Sequence, residues 1–187
     1  MPKPKAYQHV DHLLRYALNR LPARVQDTQR LLRDTQRRLA QIERDSLPNV
    51  GIAGYDAGIT LVPFRVTDPT GNAALHQIRS EWYDEYRNLY RAQLTFQREL
   101  TEYGLVNTMA GQILRDCARH HAREAPLVFA HYREDTPWNA LARQAARSPS
   151  ALYTAMEHML APYERIVQQR LTEQTLPIIF YHYSHSR

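Results

Sequence analysis

Apolar side chains recur along most of this chain at spacings of three and four, the period of an amphipathic helix. Between residues 6 and 45 the apolar positions include Val10, Leu13, Leu14, Ala17, Leu21, Val25, Leu31, Leu32, Leu39 and Ile42. Proline cannot donate a backbone hydrogen bond to the preceding turn, so Pro22 predicts a boundary near Leu21. The helical pattern breaks over 46–73, where SLPNVGIAGYDAGITLVPF and then DPTG carry turn signals. It resumes over 72–103, with Asn72 or Thr70 as cap and Ala74, Leu75, Ile78, Trp82, Tyr86, Leu89, Tyr90 and Leu94 on one face. Gly104 predicts a stop, and a further helix over 106–123 carries Met109, Ile113 and Leu114. The tail TLPIIFYHYSHSR is apolar and aromatic and suits packing on the body or on a partner chain.

The expected fold class is therefore all-α: an N-terminal helical arm (1–47), a linker (48–71), a central helical region (72–123), a helix-turn-helix (124–165) and a C-terminal tail (166–187). The fourth segment carries the most information. Thr136–Pro137 and Ser148–Pro149 each read as an N-cap followed by proline at the first helical position. Leu127, Val128 and Tyr132 would line a first helix. Trp138, Leu141, Ala142 and Ala145 would line a second, and Leu152, Met156 and Leu160 a third. Ala142 is small where crossing helices approach closely.

In a DNA-binding helix-turn-helix the last of these helices enters the major groove with its N-terminal residues at base edges. That arrangement turns Ser148, Ser150, Ala151, Tyr153 and Thr154 toward DNA. Arg143 and Arg147 flank them and reach phosphates, contacts that position a protein without specifying sequence. The helix itself, PSALYTAMEHMLA, contains neither Arg nor Lys.

Charge changes this picture in one respect. The net charge is +5, and residues 1–45 hold 10 basic against 5 acidic side chains. Of the 24 basic residues only Lys3 and Lys5 are lysine, and the planar fork of arginine suits phosphate oxygens. If the protein binds DNA, much of the affinity is expected from Arg143, Arg147 and this N-terminal segment.

Two segments resemble known regulators. VFAHYREDTPWNALARQAARSPSALYTAMEHML is similar to the sigma-factor region 4-like helix-turn-helix of the ArpU/RinA family of phage transcriptional regulators, through Tyr132, Trp138, Leu141, Ala142, Ser148, Ser150 and Tyr153. VTDPTGNAALHQI, residues 66–78, resembles the turn and Ala-rich helix start in the middle of such proteins. The resemblance covers about residues 6–165. It implies control of phage late or packaging genes through promoter double-stranded DNA and host RNA polymerase, with a homodimer as an expected form. Two other readings stay open: a packaging adaptor like a small terminase subunit, and a helical interaction module that binds no DNA.

No enzymatic chemistry is expected. The chain has no Gly-rich phosphate loop, no G-x-S-x-G and no H-E-x-x-H. Cys117 and His120 have C-x-x-H spacing, with His121, His182 and His185 elsewhere, but a structural zinc site needs four well-placed ligands. Neither metal nor cofactor is expected, and Cys117 reads as a small core residue. With no apolar run near the ~20 residues of a membrane span and no apolar core in MPKPKAYQHV, the expectation is a cytoplasmic protein with no membrane contact.

Overall fold

The computed structural model describes residues 6–46 and 69–180, without the side chains of 45–46 and 69–82. All regular structure among them is helical: α1 (Gln8–Arg15), a π-helical turn (Tyr16–Arg20), α2 (Leu21–Ser46), α3 (Pro69–His120), α4 (Ala125–Arg133), α5 (Trp138–Gln144), α6 (Pro149–Thr172) and a short 3-10 turn (Ile178–Phe180). The fold class is all-α. No described helix is long and apolar enough to cross a membrane.

The described residues form two compact units, one from Met1–Asp27 with Glu99–Arg187 and the other from Thr28–Arg98. The first holds the main core. Val10, Leu13 and Leu14 of α1 are buried there with Tyr103, Val106 and Ile113 of α3, Val128 and Tyr132 of α4, and Met156, Leu160 and Val167 of α6. Residues 8–21 are thus built into the body and are not part of an arm. Their apolar stripe is complete enough to close a core, a use that periodicity alone does not distinguish from a projecting helix.

The expected boundary near Leu21 is present in an unusual form. Tyr16–Arg20 widens into a π turn, and the Leu21 N–H donates to the Tyr16 carbonyl, five residues back. The widened turn stands immediately before Pro22, which has no N–H to give.

In the second unit α2 repeats its inward positions in sevens. Thr28, Thr35, Leu39 and Ile42 are buried and Leu32 is half-buried, the spacing of a coiled-coil seam. On α3, Leu89, Ala92 and Phe96 are half-buried. Arg38 Nε donates to Glu85 Oε1 at 2.8 Å and Tyr86 OH donates to Glu43 Oε1 at 3.2 Å, tying the two helices together.

Gly104 does not end a helix. α3 runs unbroken from Pro69 to His120, because inward positions Leu100, Tyr103, Val106 and Ala110 continue the pattern on both sides of it. A mid-helix glycine costs about 1 kcal/mol relative to alanine, less than those side chains gain by burial. A Cβ added at Gly104 would meet nothing within 4 Å. Gly104→Ala is therefore expected to raise stability by about 0.5–1 kcal/mol, measured as a shift in urea midpoint. The start of α3 at Pro69 also takes residues 69–71 out of the expected linker; residues 48–68 of that linker lie outside the described residues.

The described part of the tail, up to Phe180, packs on the body. After α6, Gln174 takes φ 56°. The Gln174 N–H donates to the Leu171 carbonyl and the Thr175 N–H to the Arg170 carbonyl, closing the helix with a left-handed cap. Leu176 and Phe180 are then buried in the main core.

Candidate nucleic-acid interface

The three short-range packing partners expected from the sequence assemble. Leu141 and Ala142 of α5 and Leu152 of α6 are fully buried together, with Leu127, Ala130 and Trp138 packed against them. Tyr132, Met156 and Leu160 are buried on the adjoining side, in the main core. Ala145 is only half-buried.

The turn between α5 and α6 is short because α5 ends in a left-handed cap. Ala146 has φ 51°. Its N–H donates to the Arg143 carbonyl, and the Arg147 N–H donates to the Ala142 carbonyl at 2.9 Å. These paired bonds satisfy two carbonyls that the helix end would otherwise leave open. Ser148 then starts α6: its backbone is extended and its Oγ accepts from the Ala151 N–H at 3.2 Å. Pro149 follows at the first helical position, where a missing N–H costs nothing.

The other expected cap is absent. Pro137 (φ −62°, ψ 142°) holds the N-cap position of α5, with no side-chain bond there. The Thr136 carbonyl instead accepts from His131 Nδ1 at 2.9 Å. Since Arg15 Nη2 donates to His131 Nε2 at 2.9 Å, the proton of the neutral ring sits on Nδ1. His131 also stacks on Trp138, ring centroids 3.8 Å apart. Thr136 is thus drawn toward the core of the turn, and α5 begins one residue later than the Thr-Pro pair suggested.

Arg15 is the centre of a polar network between α1 and α4. Besides His131 it bonds Asp11 Oδ2 through Nε at 3.3 Å, and its guanidinium lies over the Tyr132 ring, 5.4 Å from the centroid. The Tyr132 hydroxyl, fully buried, donates to Asp11 Oδ1 at 2.8 Å. Burial first, then the Asp11 charge, pushes the Tyr132 phenol well above its ordinary value. Burial also raises the Tyr7 phenol, with Tyr153 as the next cause. Raised phenols favour the folded state only while protonated, so their contribution is complete below the unfolded pKa of about 10 and is lost as pH rises through the folded values. The expected result is a urea midpoint that falls steadily above about pH 10, with tyrosinate absorbance at these positions appearing only on unfolding.

A second connection seats α1 against α6. The first turn of α1 has no side-chain cap of its own. Its His9 and Val10 N–H groups donate to the two carboxylate oxygens of Glu164, each at 3.1 Å. His9 Nδ1 also pairs with Glu164 Oε1. The carboxylate stands where an α1 N-cap residue would place its oxygen. Pro162 lies inside α6, yet the helix runs on to Thr172, past the expected limit at 165. Burial of Met159, Leu160 and Val167 outweighs the ~3 kcal/mol that an internal proline costs.

The seven residues expected at a DNA surface are placed as follows. Ser148, Ser150, Ala151 and Thr154 are exposed at the N-terminal end of α6, and Arg143 and Arg147 are exposed beside them. Arg143 Nε donates to the Asn139 carbonyl at 3.2 Å. Arg147 Nη1 pairs with Glu124 Oε1 at 3.1 Å, which fixes the turn to the start of α4. Tyr153 differs from the rest: it is half-buried, its ring 6.4 Å from that of Tyr7. Tyr7 lies far back in the sequence, and no local pattern announces that it covers Tyr153.

Cys117 is buried, and burial with the nearby Asp116 pushes its thiol up to about 11, while His120 and His121 are exposed. Among the described residues no group of three or more His, Cys, Asp or Glu side chains is placed to hold a metal ion. His182 and His185 lie outside the described residues. Compared with known proteins, the chain matches no family model, no curated protein and no solved structure.

Proposed function

We propose that this chain is a DNA-binding transcriptional regulator, encoded by a phage or prophage, that engages promoter DNA through α4–α6. One observation carries the reading. The N-cap and first two turns of α6 present Ser148, Ser150, Ala151 and Thr154 to solvent beside Arg143 and Arg147, while Leu152, Met156 and Leu160 of the same helix are buried. A helix held by one face, with small and hydroxyl side chains at its leading end, suits entry into a major groove. Its macrodipole favours approach to phosphate. The family resemblance extends the proposal to late or packaging promoters and to host RNA polymerase as a partner.

Ser150→Glu tests it. An acid in the first helical turn favours the helix and repels DNA phosphates. Affinity for duplexes selected from a random pool by the unsubstituted protein should fall at least ~10-fold, with the thermal melt preserved. Unchanged affinity would remove α6 from the interface.

A second reading, a packaging adaptor, is favoured by the paired helices of the second unit, where Leu31, Tyr83, Tyr90 and Leu94 are exposed apolar side chains. Mass in solution separates the two. A ring-shaped higher oligomer supports the adaptor, and a monomer or dimer the regulator.

A further inference from the structure

In the second unit the apolar side chains Leu89, Ala92 and Phe96 of α3 are half-buried on one side of the helix. On the opposite side, about 160° around at 100° per residue, a second apolar stripe stands in solvent. Tyr83 is 65% exposed, Tyr90 48% and Leu94 49%, and exposed Arg87 lies in line with them. The steps along 83, 87, 90 and 94 are four, three and four, the spacing of a coiled-coil seam. Single exposed apolar side chains are ordinary on a surface, but three at seam positions on one helix face form a seam without a partner helix. The Tyr90 ring is also held in place. Tyr86 lies parallel to it, centroids 6.5 Å apart, and the Tyr86 hydroxyl donates to Glu43.

This stripe is complementary to itself. When two copies of α3 run antiparallel with Arg87 of one beside Tyr90 of the other, Tyr83 of each falls beside Leu94 of the other. Two Tyr–Leu layers then enclose two in which a guanidinium meets a tyrosine ring, an attractive cation–π contact. The same register sets the flanking charges. Asp84 of one copy falls two residues, about 3 Å along the axis, from Arg91 of the other, and two-fold symmetry makes that pair twice. The other flank brings Tyr86 to Gln93, with no charge opposed. Parallel pairing would instead set Arg87 against Arg87. Within one chain Asp84 pairs with Arg87 at 4.0 Å, a surface contact that is worth little and exchanges readily.

We infer that this face of α3 is an interface with a second copy of the chain, packed antiparallel about a two-fold axis that passes between Arg87 and Tyr90. A contact that uses the same patch on both copies closes at two, so a dimer is expected and not a ring. The inference goes beyond the DNA-binding reading and does not rest on it.

Sedimentation velocity of the full chain over a concentration series tests it, with the circular dichroism melt as the control for folding. The unsubstituted protein should form a dimer that dissociates on dilution. Tyr83→Gln/Leu94→Gln places good helix formers at two exposed positions and should weaken the dimer at least ~10-fold by removing its outer layers. Asp84→Arg and Arg91→Asp each turn two attractive pairs into two repulsive ones and should weaken it about 5–30-fold. Combined, the two charge changes restore opposite signs, and the dimer should return to within about 3-fold of the unsubstituted protein. A monomer at every concentration overturns the inference, as does a higher oligomer. Single charge variants that dimerise as well as the unsubstituted chain overturn it too. So does a combined variant as weak as the singles with its melt preserved, because that result excludes the antiparallel register.

Discussion

Phe180→Ala should destabilise the protein by about 3–5 kcal/mol, although the residue lies eight positions beyond the last residue of α6 in a segment with no long helix. Its side chain is fully buried and belongs to the same cluster as Val10, Ile113 and Met156. Removing an aromatic ring from such a site loses its transfer free energy and leaves a cavity that close-packed neighbours fill only in part. Urea unfolding followed by circular dichroism measures the loss. A change below about 1 kcal/mol, the usual range for a surface position, would show that the tail does not complete the core. Ile178→Ala is the control: that side chain is 54% exposed and its truncation should have little effect.

Glu164→Ala should cost about 2–3 kcal/mol, because one carboxylate accepts both first-turn N–H groups of α1 and hydrogen bonds to charged groups are worth about 1.5–3 kcal/mol each before solvent screening. The site is nearly enclosed, with the Glu164 side chain 13% exposed, so screening removes only part of that value. Glu164→Gln keeps one accepting oxygen and should recover part of the loss. Amide exchange at His9 and Val10 gives a local readout: in the alanine variant these two protons should exchange faster than those within α6. Equal protection in both proteins would mean that α1 is capped by another group.

Both predictions concern contacts that the sequence did not announce, and the reason is separation along the chain. What was legible was local. The Ser148–Pro149 start of α6 could be read because cap and first turn are adjacent. The small residue at Ala142 and the apolar pair Leu141 and Leu152 follow from helical period within one segment. Gly104 was misread because a local breaker was weighed without the inward positions that continue on either side of it. Thr136 was misread because its partner is His131, whose own tautomer is set by Arg15 from another helix. Tyr153 is covered by Tyr7, a tertiary fact that no spacing rule contains. The seven-residue period of α2 was present in the sequence as spacings of three and four, but which face it buries became clear only from the buried threonines, Thr28 and Thr35.

The partners that hold α1 in place also determine when it can form. α1 continues through the π turn into α2, but the carboxylate that caps its first turn lies 154–155 residues downstream. During synthesis at about 5–20 residues per second, that interval takes roughly 8–30 s. For most of that time Val10, Leu13 and Leu14 lack the part of their core that α6 supplies through Met156, Leu160 and Val167. α1 is thus among the last of the described helices to be secured, and its segment is expected to be a chaperone client until α6 has left the ribosome.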